Sequence, residues 1–451
     1  MPDSSDATRG EATNLETISR LSFPKAATFF NAASIGEESD EAKKDAMDDA
    51  IRWESALEEM KEQYSKLLGT SAQHVTVFHN TTAGVQRIFL RLTHLLRGHR
   101  ATLLTTDLEY PGIIALVDET WHGRVIIAQV AELINKGRGQ EVSEQLKQLF
   151  LLTQADVIYI SHIARAFGFH LEKSFLEFVR QVNPQTVLIV DGAQAVGNIV
   201  VRSPFLNLVD FYVASGHKWL CGKQTLGLIW CPPEWKLADP AQSYSRRTGS
   251  GGTGVVAALR SLAKALQDFN DFPGTEQDGQ RMMEIEEHNA RLGSLFLNGL
   301  REHGIPVGLM RPQNAAGANG IVSIPSLGTA VAEDLKPDKV QSDHEHDKKQ
   351  LPIDFTPIRE EPLVPEEGGE APGPRFLLRL AGPELQVERR RLREARTVTP
   401  LPAGGVYRFC FHYYHSKLHV DNLIERIDAS FRSYWTQVNK KAPVVQTEAQ
   451  Y

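Results

Sequence analysis

Seven short apolar runs lie between residues 75 and 231: VTVFH (75–79), ATLLTT (101–106), VIIAQV (125–130), DVIYIS (156–161), TVLIVDG (186–192), DFYVAS (210–215) and LGLIWC (226–231). Several are rich in β-branched residues, and between them stand stretches of helical period such as EVSEQLKQLFLL and KSFLEFVRQV. Near-continuous apolar strands bury both of their faces, and helices of one apolar stripe supply the cover. This pattern predicts an α/β fold whose sheet is mainly parallel, with helices on both sides. In such a sheet, functional groups collect at the carboxyl ends of the strands.

The flanks read differently. Residues 1–22 form a polar tail, and a long helical stretch at about 37–68 closes on Gly69 as a C-cap. The segment 266–330 reads as a helix leading into a smaller α/β unit, with GIVSIP (320–325) as a strand. Residues 333–374 are rich in Pro, Asp, Glu and Lys, a composition that buries too little apolar surface to order itself. Helical period returns at 420–435. The expected organisation is a disordered tail (1–22), a lead-in segment (23–45), a large domain (46–265) and a small C-terminal domain (266–451) carrying a disordered insert at 333–374.

Bulk properties narrow the function. A net charge of −7 gives no general affinity for nucleic acid or anionic membrane. Three cysteines are too few for a disulfide framework and suit a reducing compartment. The start, MPDSSDATRGEATNLE, lacks the apolar core of a secretory signal, and no window approaches 18 apolar residues. A cytoplasmic protein without nucleic-acid or membrane partners is expected.

Three motifs carry chemistry. In ASGHKWLCGKQTLG (214–227), Lys218 sits among Ser215, His217 and glycines, a setting for a tight turn near a phosphorylated cofactor. A lysine amine forms an imine with an aldehyde when its surroundings depress its pKa. In IVDGAQAVG (189–197), Asp191 follows an apolar strand, where a carboxylate can keep a ring nitrogen protonated. In HNTTAG (79–84), the hydroxyls of Thr81 and Thr82 and the free amides of a first helical turn form an anion site. Taken singly, each motif also has a plain reading: a surface lysine, a helix-capping aspartate and a threonine N-cap.

Taken in order, the hydroxyl-rich helix start, the strand-end Asp about 110 residues later and Ser-Gly-His-Lys about 25 further resemble the class-V aminotransferase family. This is fold type I of the pyridoxal-phosphate enzymes and includes cysteine desulfurases, kynureninase and isopenicillin N epimerase. The likeness extends over roughly 28–330 and 400–435 and takes in FFNAASIG (29–36), DLEYPGII (107–114), SHIARAFG (161–168), RRTGSGGTG (246–254) and YRFCFHYYHS (407–416). It implies a fold type I transferase with a mainly parallel sheet in the large domain, a smaller α/β domain and a pyridoxal 5'-phosphate cofactor.

The resemblance also implies roles. Lys218 would be the Schiff-base lysine and the proton shuttle at Cα. Asp191 would pair with the pyridinium nitrogen, and Gln194 would contact the ring hydroxyl. Thr81, Thr82, Ser215 and His217 would bind the phosphate, and Tyr110 would lie over the ring. Thr253 resembles the threonine that reaches the neighbouring subunit's phosphate, which implies a homodimer with shared sites. Arg408 and Asn31 would hold the carboxylate of a small amino-acid-like substrate.

Two departures bear on the reaction. Arg165 replaces the asparagine of the desulfurase branch, which suggests a second acidic group on the substrate or a different carboxylate pose; an outward ion pair is the alternative. The region 326–405, where desulfurases carry their persulfide cysteine, contains none. Cys221, Cys231 and Cys410 read as packing residues. DHEHD (343–347) reads as a solvated charge run and HYYH (412–415) as packing, so no metal is expected. The reading that follows is β-elimination of the C–S lyase type on a cysteine-derived or specialised amino acid. An epimerase or aminotransferase is the alternative, and a non-catalytic scaffold a remote one.

Overall fold

A computed structural model describes residues 30, 34–45, 53–96, 101–135, 137–235, 237, 253–271, 280–305, 319–325, 388–390 and 406–441. The polar tail and the charged stretch 333–374, DHEHD included, lie outside the described residues.

All seven apolar runs are strands: β1 Val75–Phe78, β2 Thr102–Thr106, β3 Arg124–Ala128, β4 Val157–Ser161, β5 Val187–Asp191, β6 Phe211–Ser215 and β7 Gly227–Trp230. The helices are α1 Asp40–Asp45, α2 Trp53–Leu68, α3 Thr81–Leu95, α4 Pro111–Thr120, α5 Ala131–Asn135, α6 Val142–Thr153, α7 Lys173–Val182, α8 Thr253–Asn270, α9 Gln280–Glu302 and α10 Lys417–Lys441. The long stretch expected at 37–68 contains α1 and α2, and Gly69 follows α2 with φ +63°, the left-handed geometry that favours glycine. The helix expected from residue 266 begins earlier, at Thr253.

The strands form one sheet in the order β1-β7-β6-β5-β4-β2-β3. β2, β3, β4, β5 and β6 pair in parallel, whereas β7 runs antiparallel to both β1 and β6. The sequence pattern does not reveal that reversal, because β7 is as apolar as its neighbours.

Alternate residues feed two different cores. Ile158, Ile160, Leu188, Val190, Tyr212 and Ala214 join one cluster with Met60 and Tyr64 of α2, Phe150 of α6, Phe175 of α7 and Leu262 of α8. Val157, Tyr159, Val187, Ile189, Phe211 and Val213 join the other, with Ile88 and Phe89 of α3 and Ile113 of α4. Burial of both faces is why these strands read as unbroken apolar runs. A third core lies among α9, α10 and a second, antiparallel sheet of β8 Ile321–Pro325, β9 Glu388–Arg390 and β10 Val406–Cys410, in the order β8-β10-β9. Its centre holds Phe296, Phe409, Phe411 and Leu423.

One close approach ties the sheet to the start of α3. A Cβ added at Gly227 would fall 2.3 Å from the Asn80 carbonyl carbon and 2.5 Å from the Thr81 amide nitrogen. Backbone cannot yield as a flexible side chain can. Gly227→Ala should therefore cost about 1–3 kcal/mol, read as a lower denaturation midpoint, and an unchanged midpoint would show that this contact relaxes freely.

Candidate functional site

β2, β4, β5 and β6 end on polar residues: Thr106, Ser161, Asp191 and Ser215. The parallel register sets Ser161 opposite Asp191 and Asp191 opposite Val213, which aligns these ends along one edge. α3 follows β1 at the same edge, because β1 lies antiparallel to β7 and β7 antiparallel to β6. The edge therefore gathers most of the residues singled out from sequence.

Lys218, half-buried, sits in the turn after β6. That turn is closed by hydrogen bonds from the Cys221 amide to the Lys218 carbonyl (3.1 Å) and from the Gly222 amide to the Gly216 carbonyl (2.9 Å). The segment before α1 crosses directly over it, and the Gly36 amide donates to the His217 carbonyl at 2.7 Å. A Cβ at Gly36 would fall 1.9 Å from the Lys218 carbonyl oxygen, so only glycine permits this crossing.

The anion corner forms where α3 begins. Asn80, rather than a threonine, is the N-cap; its side-chain oxygen accepts from the Ala83 amide at 2.8 Å. The amides of Thr81 and Thr82 in the first turn have no acceptor within the helix. Thr81 Oγ1 donates to the Ala214 carbonyl at 3.0 Å and lies 2.6 Å from Ser215 Oγ. His217 adds a buried Nδ1 with no hydrogen-bond partner among the described residues. Burial, and then the Lys218 charge, pull the His217 ring down to about 4, so it is neutral at pH 7.

The carboxylate of Asp191 is held on both oxygens. Oδ1 accepts from the Ala193 amide at 2.8 Å and Oδ2 from the Tyr159 hydroxyl at 2.6 Å. Burial, with the charges of Asp191 and Glu109, lifts the Tyr159 hydroxyl well above its ordinary value, which keeps it a donor. Gln194 Oε1 accepts from Trp219 Nε1 at 2.9 Å, which places it beside the residue that follows Lys218.

Tyr110 precedes α4, whose first residue is Pro111 at the favoured N1 position. Its ring is 42% exposed and carries the Arg165 guanidinium 5.3 Å from its centroid. The two residues singled out separately from the loops after β2 and β4 thus stand together. Of Thr253 and Arg408 only the backbone is described: Thr253 opens α8, and Arg408 lies in β10 opposite Ser323 and Glu388. Asn31 lies outside the described residues.

Glu109 is the residue that sequence reasoning missed. It lies within DLEYPGII, yet nothing in that pattern signals a carboxylate only 5% exposed. Burial pushes it up to about 7, against the hydrogen bonds it accepts from Ser161 and Thr106.

The cysteines behave as packing residues. All three are free and buried. Cys221 Sγ lies 3.6 Å from His412 Nε2, but that nitrogen also contacts the Trp219 carbonyl at 2.7 Å. A nitrogen bonded to a carbonyl carries the proton and cannot act as a base toward the thiol. Burial raises the Cys221 thiol well above its ordinary value. His412, Tyr413, Tyr414 and His415 are all buried, with His412 stacked on Trp219 and His415 on Phe30. No metal-binding group of three or more His, Cys, Asp or Glu occurs among the described residues. No helix among them is long and apolar enough to cross a membrane.

The anion corner predicts a response to inorganic phosphate. Phosphate bound beside His217 favours its protonated form, so its pKa should rise from about 4 by about one unit or more. Ring NMR titration with and without phosphate measures this, and an unmoved His217 would remove it from the anion corner.

Comparison with known proteins bears on the family and the fold. A profile described as "Aminotransferase class-V" matches residues 41–325. No curated protein matches the sequence. Among solved structures, a cysteine desulfurase from Thermococcus onnurineus NA1 is 16% identical with a TM-score of 0.60, over 90% of this chain and 95% of that one. The cysteine desulfurase CsdA from Escherichia coli is 14% identical with a TM-score of 0.60, over 93% and 98%. The cystine C–S lyase C-DES, in complex with its reaction product cysteine persulfide, is 16% identical with a TM-score of 0.59, over 90% and 99%. At such identities these three likenesses concern the fold.

Proposed function

The chain belongs to the class-V aminotransferase family, and from that premise we propose that it is a pyridoxal-phosphate enzyme that performs β-elimination on a cysteine-derived amino acid. Pyridoxal 5'-phosphate is the cofactor of this family, and the residues present fit it. The orphaned Nδ1 of His217, the paired hydroxyls of Thr81 and Ser215 and the first-turn amides of α3 suit its phosphate. The doubly held Asp191 carboxylate suits a protonated ring nitrogen. When bound, the cofactor supplies an electron sink for charge developing at the substrate Cα.

Lys218 would tether the cofactor and, with its amine free, would take the proton from the substrate Cα. Asp191 keeps the ring nitrogen protonated, and Tyr159 fixes the carboxylate that does so. Gln194 would contact the ring hydroxyl, and Thr82 would join Thr81, Ser215 and His217 in holding the phosphate. Tyr110 would lie against the ring. Asn31 and Arg408 hold the substrate carboxylate, and Arg165, stacked on Tyr110, receives a second acidic group. Thr253 completes the phosphate site of a neighbouring subunit in a homodimer.

The observation that favours elimination is the disposition of the cysteines. The region 326–405 has none, and Cys221, Cys231 and Cys410 are buried. Sulfur therefore has no protein thiol to receive it and leaves from Cβ with its electron pair as a thiolate or related anion. The remaining three-carbon product takes up water to give pyruvate and ammonia.

The test is pyruvate release by the purified yellow protein from L-cysteine, S-conjugates and cysteine sulfoxides, with no keto-acid acceptor. Pyruvate and ammonia should form in equal amounts, and Lys218→Ala should lower the rate about a thousandfold. A spectral change on adding amino acids without pyruvate would overturn elimination in favour of epimerisation or transamination. A colourless protein that takes up no pyridoxal phosphate would point to a scaffold. Arg165→Ala should raise KM for a diacidic substrate about tenfold or more while leaving a monoacidic one nearly unchanged; equal effects would reject the role given to Arg165.

A further inference from the structure

Glu109 lies outside the roles assigned above, and its setting is unusual. Its Oε1 accepts from Thr106 Oγ1 at 2.7 Å and from the Ser161 amide at 3.1 Å, and its Oε2 accepts from Ser161 Oγ at 2.5 Å. Thr106 belongs to its own turn, whereas Ser161 is 52 positions away at the end of β4. The contact therefore joins the loop after β2 to the loop after β4. Tyr110 is the next residue after Glu109, and Arg165 is four residues beyond Ser161. Both members of the stacked pair are thus attached, within a few residues, to the two ends of one carboxylate–serine contact.

A second carboxylate braces the same loop from the other side. Asp107 Oδ1 accepts from the amides of Val130 and Ala131 at 2.9 and 3.1 Å, where α5 begins. Of the two, Glu109 is the costlier. Beside it lies a narrow cavity of about 10 Å³, room for one water at most, walled by Val142 and Leu146 of α6 and by Ala164, Phe169 and Leu171. Burying a carboxylate against such a wall weakens the fold unless donors offset it. Two serine and threonine hydroxyls and one amide can be offered more cheaply to a neutral side chain.

We propose that Glu109 is a positioning residue of this site: it fastens the loop carrying Tyr110 to the end of β4 and so fixes the Tyr110–Arg165 pair. The importance of that pair for catalysis rests on the function proposed above; the fastening itself does not.

The fastening has a defined pH dependence. Burial is the largest influence on Glu109 and carries it from an ordinary 4.5 to about 7. The charge of Asp191 on β5 adds to the rise. Tyr159, Asp107 and His162 stand nearby, and the Arg165 cation lies over the ring of the adjacent Tyr110. Tyr159 gives its hydroxyl to Asp191, Asp107 is engaged by its two amides, and His162 turns its Nδ1 to the Tyr212 hydroxyl. Opening the loop returns Glu109 to water and to its ordinary pKa. The closed loop binds the proton more tightly, so closure is favoured fully below pH 4.5 and is weakened as pH rises through 7. Between pH 6 and pH 8 the opening equilibrium should grow about tenfold.

Hydrogen exchange on the full-length purified protein measures this opening across 107–114 and 161–168, after correction for intrinsic rates. In the wild type, the opening constant is expected to rise about tenfold from pH 6 to pH 8. Glu109→Gln keeps the acceptor and lacks the charge, so it should protect the loop and abolish the pH dependence. Glu109→Ala and Ser161→Ala should open it about tenfold or more at every pH. Should Glu109→Ala fail to fold, Glu109→Gln and Ser161→Ala decide the matter. A wild-type loop that opens independently of pH, or a Ser161→Ala loop as protected as wild type, overturns the proposal. Titration with pyridoxal phosphate separates the two ideas. Failure of the wild type to bind it sinks the proposed function, whereas the exchange data still decide the fastening. Given wild-type binding, Glu109→Ala or Ser161→Ala should weaken it about tenfold and Glu109→Gln should restore it.

Discussion

Apolar cover on both faces of the main sheet governs everything else in this molecule. Successive residues of β4, β5 and β6 enter opposite cores, so no position along these strands can present a polar side chain without burying it among hydrocarbon. Apart from the buried hydroxyls of Tyr159 and Tyr212, polar chemistry on these three strands is kept to their ends. Thr106, Ser161, Asp191 and Ser215 occupy the last positions of their strands, and the parallel pairing brings those ends level. The site is a consequence of how the core is covered.

Burial then sorts the ionisable groups. Tyr159 and Tyr212 are pushed up, and His162, His217 and His412 are pushed down, so that all five are neutral hydrogen-bonding groups at pH 7. A neutral His217 adds no positive charge of its own beside Lys218. The Asp191 carboxylate is held between an amide and a phenol, and each holds a different oxygen. Such double anchoring fixes the direction of the carboxylate as well as its position. Arg165 brings a further cation to the edge, and its seat on the Tyr110 ring keeps it near the site. The same low-dielectric surroundings that silence the tyrosines and histidines leave Glu109 poised near neutrality.

The chain carries its own close tolerances at this edge. Gly36 lets the segment before α1 cross the Lys218 carbonyl, and Gly227 lets β7 meet the start of α3. Both contacts are backbone against backbone, where a single methyl group has no room. They hold the lysine turn and the anion corner to the sheet without polar side chains of their own.

The sequence by itself determined the seven strands and the covered α/β architecture, and it picked out Lys218, Asp191, Thr81 and Ser215 as candidates, because apolar period and residue type are local and survive translation into a linear pattern. It also marked Gly69 as a helix end, since a left-handed residue must follow there. Other features escaped it for equally physical reasons. The reversal of β7 depends on which strands it hydrogen-bonds, and Asn80 capped α3 ahead of the threonines only once the helix had its register. Arg165 and Tyr110 each stood out in the sequence, but their pairing, across more than fifty positions, did not. Glu109 shows the limit most plainly. In the linear chain it is an ordinary acid in a loop; three donors, an apolar wall and the charge of Asp191 make it a titrating strap, and only tertiary structure brings those together.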